Sequence, residues 1–278
     1  MKPSERLTHI AERVAAHERV YGEQVSLRNP GTGFKLGEHI YSNLDRYMLM
    51  DVYCSAKGYG YVNDLNARLD IHSTSDIAYL GGIYHEALRG SNFGVIDGIT
   101  FNSARTIDQF RGSMQALSWL AQHYPEDVPH RIVMPIEIER GDLGHTAAVA
   151  IEWDGERFTH VNLFEQHARD DGDIRDFSIE LEQAGAIIQE ALGAEHRAMN
   201  TEPFCREQKV CFVVGLETAK KLLELENKGH SSDYMQDITP LVMDRVAVED
   251  AHEANVRLFS RIQSRETLQD DSRASHRA

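Results

Sequence analysis

HTAAVAIEWDGERFTHVNLFE, residues 145–165, decides how this chain is read. It contains two runs of strand length, HTAAVAIEW (145–153) and RFTHVNLFE (157–165), joined through Asp154-Gly155, a strong short-range hairpin signal. His145 stands at one end of the hairpin and Glu165 at the other. Further on, REQKVCFVVGLETAKKLLELENKG (206–229) takes on helical periodicity from Cys211 and closes at Gly229. A thiol, an imidazole and a carboxylate, each at the end of a regular element, are the parts that thiol-based nucleophilic catalysis requires.

The thiolate is the working nucleophile, and a free thiol with a pKa of about 8.5 is mostly protonated at neutral pH. A helix N-terminus and a neighbouring imidazole both lower that value. Cys211 precedes FVVGLETAKKLL, whose apolar face can hold the sulfur in place; the residue also fits a plain small hydrophobe that opens this face. His145 begins a strand of small apolar residues, an odd place for a histidine without a polar partner. His160, in the next strand, is a rival base but also fits an outward polar position. Glu165 closes the apolar run VNLF, where a carboxylate needs water or a cation, and orienting an imidazole is one such use. The hairpin sets a condition on this triad. A two-residue turn places His145 opposite Phe164 and sends Glu165 to the other side of the sheet. The triad therefore requires an irregular hairpin, or a strand that ends early.

Working outward, 278 residues with 41% hydrophobic content fit one large domain or two small ones. No run approaches the roughly 20 apolar residues that span a bilayer, and MKPSERLTHIAERVAAHERV (1–20) lacks the apolar core of a Sec signal. A net charge of -15 argues against a nucleic-acid surface, while leaving room for a local basic pocket. Three cysteines, Cys54, Cys205 and Cys211, indicate a reducing compartment with a free thiol. The histidines show no HExxH spacing, so no catalytic metal is expected.

Apolar spacing predicts helices over 4–24, 38–54, 106–122, 176–193 and 211–227, and through LVMDRVAVEDAHEANVRLFSRIQ (241–263). NPGTGFKLG (29–37) reads as a loop, and Cys54 as a buried small residue. AKGYGYVND (56–64) reads as a glycine turn with packed flanks. Ser75 or Asp76 could cap a short helix through Leu88, and RGSNFGVIDGITFNS (89–103) could form a short hairpin. RIVMPIEIE (131–139) reads as a strand, and SRETLQDDSRASHRA (264–278) as a disordered tail.

These residues resemble the YopJ family of bacterial effectors, which shares a cysteine-protease-like clan with the ubiquitin-like-protein proteases. The resemblance rests on the order His, Glu, Cys and the spacing of His145 and Glu165. It also rests on the strand ending NLFE, the ETAKKL segment after Cys211, and RIVMPIEIERGDLGH leading to the histidine. It covers roughly residues 105 to 228. It implies an α+β fold with a papain-like, Ulp-type core: a mixed sheet flanked by helices, plus N- and C-terminal helical regulatory segments. The corresponding division is an N-terminal regulatory region over 1–104, a catalytic core over 105–229, a C-terminal helical region over 230–265 and a tail over 266–278. The implied activity is acetyl transfer from acetyl-CoA to Ser, Thr or Lys of a host signalling or immune protein, through an acetyl-cysteine. Inositol hexakisphosphate is the implied activator, and the implied destination is the host cytoplasm by a non-Sec route, type III secretion.

Carried over by position, Cys211 is the nucleophile, His145 the general base, Glu165 its orienter and Gln208 the oxyanion candidate. The chain departs from the family pattern at four places. Val210 stands where an acidic residue precedes the cysteine, Cys205 where the family has its glutamine, Phe212 where it has a glycine, and Gln166 where a proline follows the glutamate. Two other readings use the same residues: a cysteine protease acting on ubiquitin-like modifiers, and a catalytically weak effector that binds a host partner. Lys220, Lys221, Arg245 and Arg257 are candidates for holding a polyphosphate, and fit solvated helix charges equally well.

Overall fold

A computed structural model describes residues 34–36, 39–41, 43–63, 71, 73–141, 143–168, 176–205, 211–225 and 230–258. The expected helix over 4–24, the tail and Gln208 lie outside them. A short antiparallel pair, β1 (Phe34–Leu36) and β2 (His39–Tyr41), leads into α1 (Asn43–Lys57). This corrects two expectations: the glycine-rich 29–37 stretch includes strand at its described end, and the helix expected from 38 starts at Asn43. Ile40 belongs to the strand pair, opposite Lys35, and its helical spacing from Leu44 is incidental.

Then follow β3 (Gly60–Asn63), α2 (Thr74–Leu88), β4 (Phe93–Asp97), β5 (Ile99–Phe101) and α3 (Ile107–His123). Ser73, and neither Ser75 nor Asp76, caps α2: its hydroxyl accepts from the Asp76 N–H while Asp76 Oδ2 accepts from the Ser73 N–H. The segment 89–103 is no hairpin. β4 runs parallel to β6 (Arg131–Arg140) over 131–133, and β5 runs parallel to the same strand over 136–138. Gly98, at a left-handed φ of 81°, lets one edge of chain step along β6 between these two pairings.

β6 pairs antiparallel with β7 (Leu143–Trp153), which pairs with β8 (Phe158–Phe164); α4 (Ser178–Leu192) then returns the chain to β9 (His196–Met199), parallel to β8. The result is a mixed seven-stranded sheet, ordered β3-β4-β6-β7-β8-β9 with β5 also on β6. Strands from 60–101 and from 131–199 share this sheet, so the division drawn at 104/105 is not a boundary of the sheet. After β9 come α5 (Cys211–Glu224), α6 (Asp233–Gln236) and a helix over 245–258, α7. No helix among the described residues is long and apolar enough to cross a membrane.

Helices cover both faces because the central strands are apolar on both. On one face, Ile132, Met134, Ile136, Ile138, Val149, Ile151 and Leu163 meet α2, α3 and α4 through Tyr84, Leu117 and Ile188. On the other, Val95, Val133, Ala148, Ala150 and Phe164 meet α1 and α5 through Leu49, Met50, Cys54, Val214 and Leu222. Leu241, Met243 and Val248 extend this second cluster, so the C-terminal segment packs beside the cysteine-bearing helix.

The far end of α5 is tied to the sheet by a buried cation. Arg131 Nε donates to Glu152 Oε1 at 2.8 Å, while Nη1 donates to the carbonyls of Leu222 and Leu225 at 2.8 and 2.9 Å. These carbonyls end α5, where the helix dipole favours a cation. Glu152 Oε1 also accepts from the Ser231 N–H, so one ion pair holds two strands, a helix end and the following segment. Removing one partner of a buried pair leaves the other charge uncompensated. Arg131→Met is therefore expected to cost about 3–5 kcal/mol, read as a lowered urea midpoint.

Candidate active site

The hairpin that carries His145 and Glu165 is irregular. Trp153 pairs with Phe158, so residues 154–157 form the connection. Asp154 closes it by accepting from the N–H groups of Glu156 and Arg157, both at 2.9 Å. The next pair is Glu152 with His160, which leaves Thr159 as an extra residue in β8. From there the register is regular to Ala148 opposite Phe164, where β8 stops.

This bulge fixes which face Glu165 occupies. With the same connection and no bulge, Glu165 would fall opposite Thr146, on the face away from His145. The extra residue moves it opposite Ala147, whose side chain and that of His145 share a face. The contact follows: His145 Nε2 lies 3.0 Å from Glu165 Oε1, with the two side chains 3% and 0% exposed. It is an ion-pair approach, off the axis of an ideal hydrogen bond.

Cys211 reaches the same ring from the opposite face of the sheet. α5 lies directly on β7 at Thr146, where a Cβ on Gly215 would stand 2.8 Å from Thr146 Cγ2. Glycine at that position lets the helix approach closely enough for its first residue to pass the end of the ladder. The thiol of Cys211 makes hydrogen-bond contact with the His145 side chain and with the backbone of Thr146. Glu165, His145 and Cys211 are thus brought together. His160 is not part of this group; it sits among His196 and His230, at ring separations of 5.0 and 5.9 Å.

Burial alone would push the His145 pKa down, but the Glu165 charge and the Cys211 contact outweigh it and raise the ring to about 10. Burial pushes the Cys211 thiol up; the hydrogen bond and positive charge of His145, helped by Thr146, bring it below its ordinary value. The two shifts are one statement seen from both partners: the site favours a thiolate–imidazolium pair. The stability that the His145 shift contributes is complete below the ring's unfolded value of about 6.5 and is lost as pH rises through about 10.

Several supporting residues carry no sequence signal of their own. Asn200 brackets Glu165, accepting from its N–H and donating to its carbonyl at 2.8 Å each. The His167 N–H donates to Glu165 Oε1 at 3.0 Å. Phe177 stacks on His145 with centroids 5.0 Å apart, and Arg140, paired with Glu180, lies over the Phe177 ring at 4.5 Å. Gln166 Nε2 is 3.3 Å from His145 Nδ1. Only proximity to Glu165 in sequence could have suggested Gln166 and His167; Asn200, Phe177 and Arg140 arrive through the fold.

The polyphosphate candidates are already engaged. Lys220 bonds Glu217 and Asn255, Lys221 bonds the Pro240 carbonyl, and Arg245 and Arg257 pair with Glu249 and Glu253 on their own helix. No protein-family model matches the chain, nor does any curated protein match it in sequence.

Glu165→Gln removes the charge while keeping the shape. Burial is then opposed only by Cys211, and the His145 titration is expected to fall from about 10 toward its ordinary 6.5. Ring-nitrogen chemical shifts of histidine-labelled protein between pH 5 and 11 measure this directly.

Proposed function

We propose that this chain is a cysteine acyltransferase in which Cys211, His145 and Glu165 act as nucleophile, base and orienter. The reading is carried by one observation: a buried imidazole is in ion-pair contact with a buried carboxylate and in hydrogen-bond contact with a thiol at a helix N-terminus. By resemblance to the YopJ family the acyl group is acetyl, the donor acetyl-CoA, and the acceptor a Ser, Thr or Lys of a host protein. The same resemblance makes the core papain-like; the mixed sheet with helices on both faces supports that placement.

The chemistry follows from the geometry. Glu165 holds Nε2, which leaves Nδ1 to exchange a proton with the thiol. The Cys211 thiolate attacks the thioester carbonyl, a new C–S bond forms, and the bond to the CoA sulfur breaks. The departing CoA thiolate takes the His145 proton. An acceptor hydroxyl or amine then attacks the acetyl-cysteine, giving its proton to Nδ1, and the Cys211 thiolate is released. The Glu165 carboxylate stabilises the imidazolium each time it forms. Inositol hexakisphosphate enters no step of this sequence and is proposed only as an activator.

Labelled acetyl-CoA, with and without inositol hexakisphosphate, tests the reading. Label is expected on the protein in a thioester that hydroxylamine removes, and Cys211→Ala and His145→Ala should each lower incorporation at least about a thousandfold. Cleavage of ubiquitin or SUMO chains without labelling would replace acetyl transfer with proteolysis at the same triad. Neither activity would leave a binding role.

A further inference from the structure

Gln166 stands beside Nδ1, the His145 ring nitrogen that Glu165 does not hold. Gln166 is 2% exposed, its Nε2 stands 3.3 Å from Nδ1, and its Oε1 has no hydrogen-bond partner among the described residues. Its backbone is anchored, because its carbonyl accepts from the N–H groups of Phe204 at 3.1 Å and Cys205 at 3.3 Å. Glu165 just before it is fixed in turn by Asn200 and by the His167 N–H. A primary amide held at its base, with one end against a titrating nitrogen and the other end unpaired, can turn end for end at the cost of one torsion. Its two ends have opposite hydrogen-bonding character.

We infer that Gln166 is a positioning residue that follows the proton on His145, presenting Oε1 when Nδ1 is protonated and Nε2 when it is bare. The inference rests on the acyl-transfer reading above. The arrangement described, with Nε2 toward Nδ1, suits a bare Nδ1; when the thiolate–imidazolium pair forms, Nδ1 carries a proton and the amide turns so that Oε1 accepts from it alongside the sulfur. Acylation removes the thiolate, a large part of what holds the ring charged, and the acyl-sulfur is a poor acceptor. The ring can then lose its proton, and Nε2 donates to the bare Nδ1 as in the arrangement described. The imidazole thus keeps a hydrogen-bonded partner on this nitrogen through both half-reactions, when Cys211 supplies one only in the first. A proline at this position, as in the family pattern, has no side-chain group to do this.

p-Nitrophenyl acetate separates the half-reactions without depending on the natural donor or acceptor. The Cys211 thiolate forms a C–S bond to the acetyl carbon and p-nitrophenolate leaves, while the His145 proton passes to solvent. Water then attacks the thioester. One of its protons goes to Nδ1, the C–S bond breaks to give thiolate, and the acetic acid released ionises.

Nitrophenolate release gives the first step, and mass spectrometry of acetyl-Cys211 gives the second across pH. Gln166→Glu, an acceptor at both ends, is expected to hold the ring protonated: thioester loss at pH 7 slows about tenfold and its rising, acid-side limb moves to higher pH. Gln166→Met, which serves neither state, is expected to slow both steps about tenfold without moving the limb. Rates and limb unchanged in both variants, or the two variants behaving alike, would overturn the inference. Thermal melting establishes that each variant is folded; if Gln166→Met is not, an unmoved limb in Gln166→Glu alone overturns it. A wild-type protein with no Cys211-dependent nitrophenolate burst overturns the acyl-transfer reading itself, and the role of Gln166 with it.

Discussion

One extra residue in one strand determines whether this molecule has a three-residue site. Thr159 enlarges the β7–β8 register by a single step, and the twofold side-chain period of a strand turns that step into a change of face. Glu165 consequently lies on the His145 side of the sheet, where otherwise it would enter the cluster beneath α5. The other two members are placed by less delicate means. β7 carries His145 through an unbroken ladder with β6, and α5 is brought onto β7 by Gly215 and held at its far end by Arg131. The bulge is the step on which the geometry turns.

Once assembled, the site is governed by charge balance in a nearly dry setting. A carboxylate with no exposure requires compensation, and the imidazolium of His145 supplies it. An imidazolium between two acids stabilises a second anion, and the sulfur is the acid positioned to become one. The lowered thiol thus follows from the charge on His145, which the buried Glu165 sustains. The packing around the ring supports the same end: Phe177 fixes its plane, and Arg140 and Glu180 fix Phe177. Asn200 spends its whole side-chain amide on the backbone around Glu165, including the Glu202 carbonyl.

Much of this was legible in the chain. Strands 131–140, 143–153 and 158–164 announce themselves through alternation and length, and helices 107–123, 178–192 and 211–224 through apolar spacing. The condition of an irregular hairpin also followed from residue counting, although the bulge itself did not. A bulge at Thr159 depends on cross-strand packing, with Trp153 meeting Phe158 and Val161 re-entering the core, and no local residue pattern encodes it. The 89–103 segment misled for a related reason. Its glycines suggested a turn, whereas Gly98 lets a buried edge shift along β6, a role that exists only when β6 is present. Asn200, Phe177 and Arg140 were invisible because their contacts span long stretches of chain.

The central claim is that Cys211 and His145 titrate as a coupled pair beside the Glu165 carboxylate. Thiolate absorbance near 240 nm, recorded from pH 4 to 11 as the difference between the wild-type protein and Cys211→Ser, measures it directly. The account predicts a thiolate that forms below the ordinary thiol range, and its return to that range of about 8.5 or above in His145→Ala. A wild-type curve that matches an ordinary or buried thiol and is unmoved by His145→Ala would contradict it.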